Sequence, residues 1–315
     1  MESAVSSSFP HLTYLVPAQH NGVPLVELAY NLAGERGRLA AERGGAWLDN
    51  RRLTDPQHIL NAHTTLVLRF PPEQGYDHVE LNANHLAFED EWLLVLHKPA
   101  GWYVNAVPWD TYGTIVAALH RFLSVRDGVA PPLHLAHRLD RDTTGLLLLS
   151  KHPAANGPLQ AAFSQQQVYK RYRCHCAGLP PWQAYELRTG HGRSAHGRWR
   201  IYPLEEVGHQ LPQCGGRVRL AHTSFSVKAQ FTQSALVCAY PHTGRTHQIR
   251  LHMASLGLPL LGDTRYGGPD HYQGQPLSGH LLHAAELSLK HPITGATLTL
   301  TSPLPPRVGW LQRNT

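Results

Sequence analysis

Residues 137–145 read HRLDRDTTG, and the apolar run LLLL (146–149) follows directly. Basic and acidic side chains alternate within five positions here: Arg138, Asp140, Arg141 and Asp142. The flanking segments LHLAHRLD (133–140) and GLLLLSK (145–151) read as strands, so Asp140 falls at the exit of one strand and before a buried one. A carboxylate loses solvation in such a place and has to be compensated. Loops positioned by a rigid sheet commonly carry catalytic side chains. The plain alternative is an aspartate that closes a turn on its own backbone.

Working outward, strands outnumber helices and do not alternate with them. AFEDEWLLVLHKPAG (87–101), VYKRYRCHCAG (168–178), SFSVKAQF (224–231) and SALVCAY (234–240) read as strands. LLHAAELSLKH (281–291) and ATLTLTS (296–302) form a hairpin about PITG (292–295). GTIVAALHRFLS (113–124) has helical periodicity, and PAANGPLQAAFSQQQ (153–167) predicts a helix starting after Gly157. THQIRLHMASLG (246–257) predicts a short helix ended by Gly257, with Arg245 at its start and Arg250 beyond. This pattern favours an α+β fold with a mostly antiparallel mixed sheet and peripheral helices. Residues 1–80 read as a small N-terminal α/β module with strand, turn, strand in GGAWLDNRRLTDPQHIL (44–60) and a strand in TTLVLRF (64–70). PPEQG (71–75) is the expected linker, and residues 81–315 form the second domain.

The 315 residues carry a formal charge of +6, unevenly spread. Residues 1–80 hold 6 Lys+Arg against 9 Asp+Glu, and residues 81–315 hold 22 against 13. An arginine-rich basic body points to a phosphate-bearing partner, because the planar guanidinium matches phosphate oxygens two at a time. No apolar run is long enough to span a bilayer, and MESAVSSSFPHLTYLV lacks the features of a signal peptide. Cys174, Cys176, Cys214 and Cys238 read as reduced thiols of a cytoplasmic protein. The 23 histidines invite a metal reading, but His134 and His137 would face opposite sides of a strand. His242, His247 and His252 are five apart and share no helix face well, so no metal is expected.

Three further stretches bear on function. YPHTGRTHQIRLHMA (240–254) sets Arg245 before a helix, where the dipole disfavours a cation unless an anion is near. On VYKRYRCHC, Tyr172 shares a face with Lys170, Cys174 and Cys176, where an aromatic beside basic groups can stack on a nucleobase. RTGHGRSAHGRWR (188–200) combines arginines, glycines and Trp199 with no acid, which suggests a mobile RNA-contacting loop.

HRLDRDTTG, KRYRCHCAG, TGRTHQIRLHMASLGLPLLGDTRYG and LLHAAELSLKHPITGATLTLTSPLP, with LLVLHKPAGW, resemble in content and order the blocks of the RluA-type pseudouridine synthase family over residues 88–306. The chain has Thr144 where the family usually has serine, and WYVNAVPWD (102–110) where a Val-His-Pro-like turn is usual. The resemblance implies the pseudouridine synthase fold with a central catalytic cleft, and isomerisation of uridine in ribosomal or transfer RNA without cofactor or metal. It implies that Asp140 is the essential aspartate, Tyr172 packs on the target uracil, and Arg245 pairs with the aspartate. Arg138 matches the arginine that displaces the flipped base, and His137 and Thr143 join it as substrate-binding residues. A monomer is expected. Residues 1–80 resemble, more faintly, an α-L RNA-binding motif, although their charge is acidic. Two other readings fit parts of the sequence: a catalytically silent RNA-binding protein on the same fold, and an Asp-dependent hydrolase using Asp142 as a second acid.

Overall fold

The computed structural model describes residues 10–72, 79–195, 197–212 and 215–305. Cys214 and residues 73–75 of the expected linker lie outside these. The chain divides into two compact units, Met1–Leu81 with Gly101–Ala130, and Asn82–Ala100 with Pro131–Thr315.

In the first unit, β1 (His11–Leu15), β2 (Ala46–Leu48), β3 (Arg51–Arg52) and β4 (Thr65–Arg69) form a sheet in the order β1-β4-β2-β3. The turn between β2 and β3 is the Asp49-Asn50 pair, both at positive φ (46° and 66°), which suits the twist of a tight hairpin. Helix α1 (Leu25–Glu42), absent from the sequence reading, is interrupted at Gly34 (φ 58°). Its Leu25, Leu28, Ala29, Ala40 and Ala41 close a core with Leu66, Leu68 and Phe70. Gly101–Ala130, containing α2 (Ile115–Asp127), belongs with this unit, which a single cut near residue 80 does not anticipate. The reason is a set of polar ties. Trp47 Nε1 donates to the Pro108 carbonyl (2.9 Å), Arg52 donates to that of Val107 (2.6 Å), and the Thr111 amide donates to that of Arg43 (2.7 Å).

The second unit is built on one large sheet. Its strands are β5 (Leu86–Glu89), β6 (Leu93–Lys98), β7 (His134–Leu135), β8 (Thr144–Ser150), β9 (Tyr169–Ala177), β10 (Ala184–Arg193), β11 (Trp199–Tyr202), β12 (Arg219–Gln230), β13 (Ser234–Pro241), β16 (Leu282–Lys290) and β17 (Thr297–Thr301). The two-residue strands β14 (His271–Tyr272) and β15 (Gln275–Pro276) pair separately. The main path runs β11-β10-β12-β13-β9-β16-β8-β6-β5. The β16–β8 pairing is parallel and the other described pairings are antiparallel, as the strand-rich pattern predicts. Helix α3 (Pro153–Ser164) packs Ala155 and Leu159 on Leu146 and Leu148. Helix α4 (Gln248–Ser255) packs Ile249 and Met253 on Cys174, Val237 and Ala239.

Three local expectations are corrected. LHLAHRLD pairs only at His134–Leu135, so Asp140 lies in a longer loop leading into β8. Helix α3 begins at Pro153, not after Gly157. Pro153 occupies the first helical position, where its missing N–H is not needed, and the His152 ring accepts from the Ala154 amide. RTGHGRSAHGRWR is mostly the β10–β11 hairpin, with Arg193 opposite Trp199, rather than a loop.

The glycine of the opening stretch has a packing reason. Gly145 has φ 105°, and a Cβ there would lie 2.2 Å from the Ala284 carbonyl oxygen, at the point where β8 meets β16. Gly145→Ala is therefore expected to cost roughly 1–3 kcal/mol from the backbone conformation alone, with the clash adding to it. Urea unfolding measures the effect; an unchanged midpoint would show that the β8–β16 approach is not close.

Candidate active site

Asp140 opens onto a cleft of about 650 Å³ within the second unit, lined by His134–Asp140 and Thr143, by residues of α3 and β9 such as Phe163, Lys170 and Tyr172, and by Pro241–Arg250. The loop that carries it is anchored from below. Lys98, only 2% exposed, donates to the carbonyls of Pro99 (2.8 Å), Arg141 (2.5 Å) and Thr143 (3.0 Å). The Thr143 amide donates back to the Asp140 carbonyl (3.2 Å). The Asp140 carboxylate is thus displayed by a loop whose own polar groups are tied down.

The partner of that carboxylate is Arg250, not Arg245. Arg250 Nη1 donates to Asp140 Oδ2 at 2.9 Å. The same guanidinium grips Asp263 with two bonds of 2.7 Å, Nε to Oδ2 and Nη2 to Oδ1. It also sits over the Tyr266 ring, 5.0 Å from its centroid. The sequence reading misplaced the helix start: α4 begins at Gln248, which puts Arg250 in its first turn and Arg245 in the preceding turn. A cation in the first turn is unfavourable, and here two carboxylates offset it. Arg245 also lines the cleft, but its Nε donates to the Leu220 carbonyl (2.9 Å) and its amide to Gln248 Oε1 (2.9 Å). Buried Gln248 holds this turn by also accepting from Thr243 and donating to Thr223 and the His222 carbonyl.

Burial opposes the charge of Asp140; His247, Arg250 and His280 outweigh it and hold the carboxyl below its ordinary range. Burial also pushes both histidines down to about 4. At neutral pH their rings are uncharged, so Arg250 supplies the compensating charge. His247 Nε2 lies 3.8 Å from Asp140, while its Nδ1 is 2.7 Å from the Tyr266 hydroxyl. A depressed carboxyl stays ionised above its folded-state pKa and loses charge only as pH falls through that value. Turnover that needs this charge should stay level down to about pH 5. An acid limb centred at about pH 6 in kcat would contradict an ionised Asp140.

The remaining sequence candidates divide. Tyr172 lines the cleft, and its inner edge packs on the Cys174–Ile249 core; burial, reinforced by Asp140, raises its phenol well above the ordinary value. Arg138 lines the cleft and is exposed. His137 and Thr143 reach the cleft wall but spend their polar atoms on the protein. His137 Nε2 accepts from the Leu148 amide (3.1 Å) and its ring stacks on Phe163; Thr143 Oγ1 is 2.8 Å from His280 Nε2. They shape the loop rather than offer free groups to substrate. Asp142, the second acid of the hydrolase reading, pairs with Arg141 and is absent from the cleft lining. Asp263, Tyr266, His247 and Lys98 escaped the sequence reading, because nothing in their local sequence signals that they converge on Asp140. Among the described residues no group of three or more His, Cys, Asp or Glu is placed to hold a metal ion. Cys174, Cys176 and Cys238 are buried free thiols. No helix among the described residues is long and apolar enough to cross a membrane.

A loop-borne aspartate clamped by an arginine in an open cleft defines a class that comparison with known proteins makes specific. Residues 92–255 match the profile of the RNA pseudouridylate synthase family. RNA pseudouridine synthase 1 of Oryza sativa subsp. japonica is 40% identical over 258 residues, covering 70% of this chain and 72% of that one. Ribosomal large subunit pseudouridine synthase D of Pseudomonas aeruginosa is 30% identical over 319 residues, 94% of this chain and 93% of that one. Among solved structures, Human RNA Pseudouridylate Synthase Domain Containing 4 matches with a TM-score of 0.58 at 26% identity, covering 71% of this chain and 89% of the other. The chain belongs to the RNA pseudouridylate synthase family, in its RluA-type branch, and is an isomerase.

Proposed function

We propose that the protein converts uridine to pseudouridine in structured RNA, with ribosomal RNA the first substrate to test and transfer RNA the second. The observation that carries this reading is the Asp140–Arg250–Asp263 chain at the cleft, which keeps a carboxylate charged where water is scarce. The reaction breaks the bond between C1′ and N1 of uracil, turns the base, and joins C5 to C1′. The proton lost from C5 is balanced by one gained at N1, so the product is an isomer and no redox partner is required. Cleavage builds positive charge on the sugar, as in glycoside hydrolysis. Asp140 meets that charge either by attacking C1′ or by acting as a base on the ribose. The detached sugar has to be shielded from water, which gives the cleft walls their role.

A uridine in folded RNA has to leave its stack, at a cost of a few kcal/mol. Tyr172 is suited to pack against the displaced uracil, and exposed Arg138 to fill the space it vacates. Arg245, tied to the Leu220 carbonyl, is suited to an RNA contact at the cleft wall rather than to the aspartate. The first unit is proposed to add little affinity, given its excess of acids over bases. A monomer is proposed, and a reducing cytoplasmic setting is supported by the buried free thiols. The catalytically silent alternative leaves the buried Asp140–Arg250–Asp263 arrangement without a purpose. Incubation with ribosomal and transfer RNA, followed by chemical mapping of mass-silent isomerisation, tests the proposal. No new pseudouridine in either RNA would leave a binder only.

A further inference from the structure

Among the described residues, four Lys and Arg side chains line the cleft: Arg138, Lys170, Arg245 and Arg250. Arg250 is occupied by two carboxylates, and Arg245 by a backbone carbonyl. Lys170 is different. It lies on β9 two residues before Tyr172, on the same face, and both side chains line the cleft. Its Nζ is 6.0 Å from the centroid of the Phe163 ring, on which His137 stacks. Among the described residues it has no carboxylate partner and no hydrogen bond. Burial lowers the amine to about 8, with no acid to offset it. Arg138, next in sequence to His137, is a second cation on this wall with no acid partner among the described residues.

An ammonium already stripped of part of its water gains more from an arriving anion than one in bulk solvent. The anion has to come from outside, because the carboxylate of the cleft is engaged by Arg250. We propose that Lys170 binds a phosphodiester of the RNA strand entering the cleft, beside the nucleotide whose base meets Tyr172. This rests on the RNA reading above. The competing account is a lysine whose aliphatic stem covers Phe163 and whose amine does nothing further. Lys170→Met separates the two, since it keeps the stem and removes the charge.

The experiment measures equilibrium binding of a uridine-containing stem-loop RNA across a salt series, with steady-state kinetics on the same preparations. The proteins are the full chain and its Lys170→Met, Lys170→Gln and Lys170→Arg variants. Loss of one phosphate contact should reduce the slope of log affinity against log salt by about 0.7–0.9. Met and Gln should both show this and raise KM, with kcat at saturating RNA unchanged, while Arg restores slope and KM. A wild-type slope and KM in either well-folded neutral variant would overturn the subsite, as would a fall confined to kcat. The subsite and the activity fail separately. An enzyme that forms pseudouridine with a slope indifferent to residue 170 removes the subsite alone. A slope that depends on Lys170 in a protein that forms no pseudouridine upholds the subsite and removes the activity.

Discussion

Asp140→Asn is expected to stop pseudouridine formation while leaving the protein folded and able to bind RNA. Asparagine has nearly the same size and still accepts a hydrogen bond from Arg250, which keeps its two bonds to Asp263. What disappears is the negative charge and any useful nucleophile or base. Removal of a positioned acid–base group alone lowers rate by roughly 10²–10⁴-fold, and a covalent role would add to that. RNA affinity should hold or rise slightly, because one anion is removed from a surface that has to accept phosphates. Yield and affinity measured on one preparation provide the check. Turnover within about tenfold of wild type, from a folded Asn variant, would demote Asp140 to a turn residue and take the mechanism with it.

Arg250→Met should damage stability and chemistry together. Asp263, 2% exposed, would be left as an uncompensated buried carboxylate, and removing one partner of a buried pair costs roughly 3–5 kcal/mol. Asp140 would lose the cation that opposes its burial, so its pKa would rise and the acid limb of kcat would move toward neutral pH. Arg250→Lys keeps the charge but cannot reproduce the two-bond grip on Asp263 plus the third bond to Asp140, so a smaller loss of both kinds is expected. Arg245→Lys is the control. It alters a contact to the Leu220 carbonyl and should leave the unfolding midpoint near wild type, with any effect falling on KM. Denaturant unfolding and a pH–rate series on the three variants decide the matter. If Arg245→Lys behaves as predicted for Arg250, the observed ion pair is not the one that operates.

The legible part of this protein is the part encoded locally. The alternation in VYKRYRCHCAG and the apolar run after Gly145 identify β9 and β8, because side-chain period and burial are properties of neighbouring residues. The same holds for the hairpin of β16 and β17 and for Asp140 itself, whose odd setting is visible within nine residues. Helix starts were less secure. Pro153 and His152 are local signals of an N-terminus that lies five residues before the start expected after Gly157, and Gln248 opens a helix whose expected start is nearer Arg245.

The resemblance assigns Arg245 to the aspartate, and no local rule in the sequence points to Arg250 instead. The Asp140–Arg250 bond joins residues 110 apart in sequence, and it forms because β9 and β13 hold α4 against the loop anchored by Lys98. Asp263 and Tyr266 converge on the same guanidinium from a further turn. The return of Gly101–Ala130 to the first unit depends likewise on Trp47, Arg52 and Arg43 reaching backbone groups more than fifty residues away. Charge type and strand period are set by the sequence alone. Which charges meet is set by chain crossings that only packing fixes.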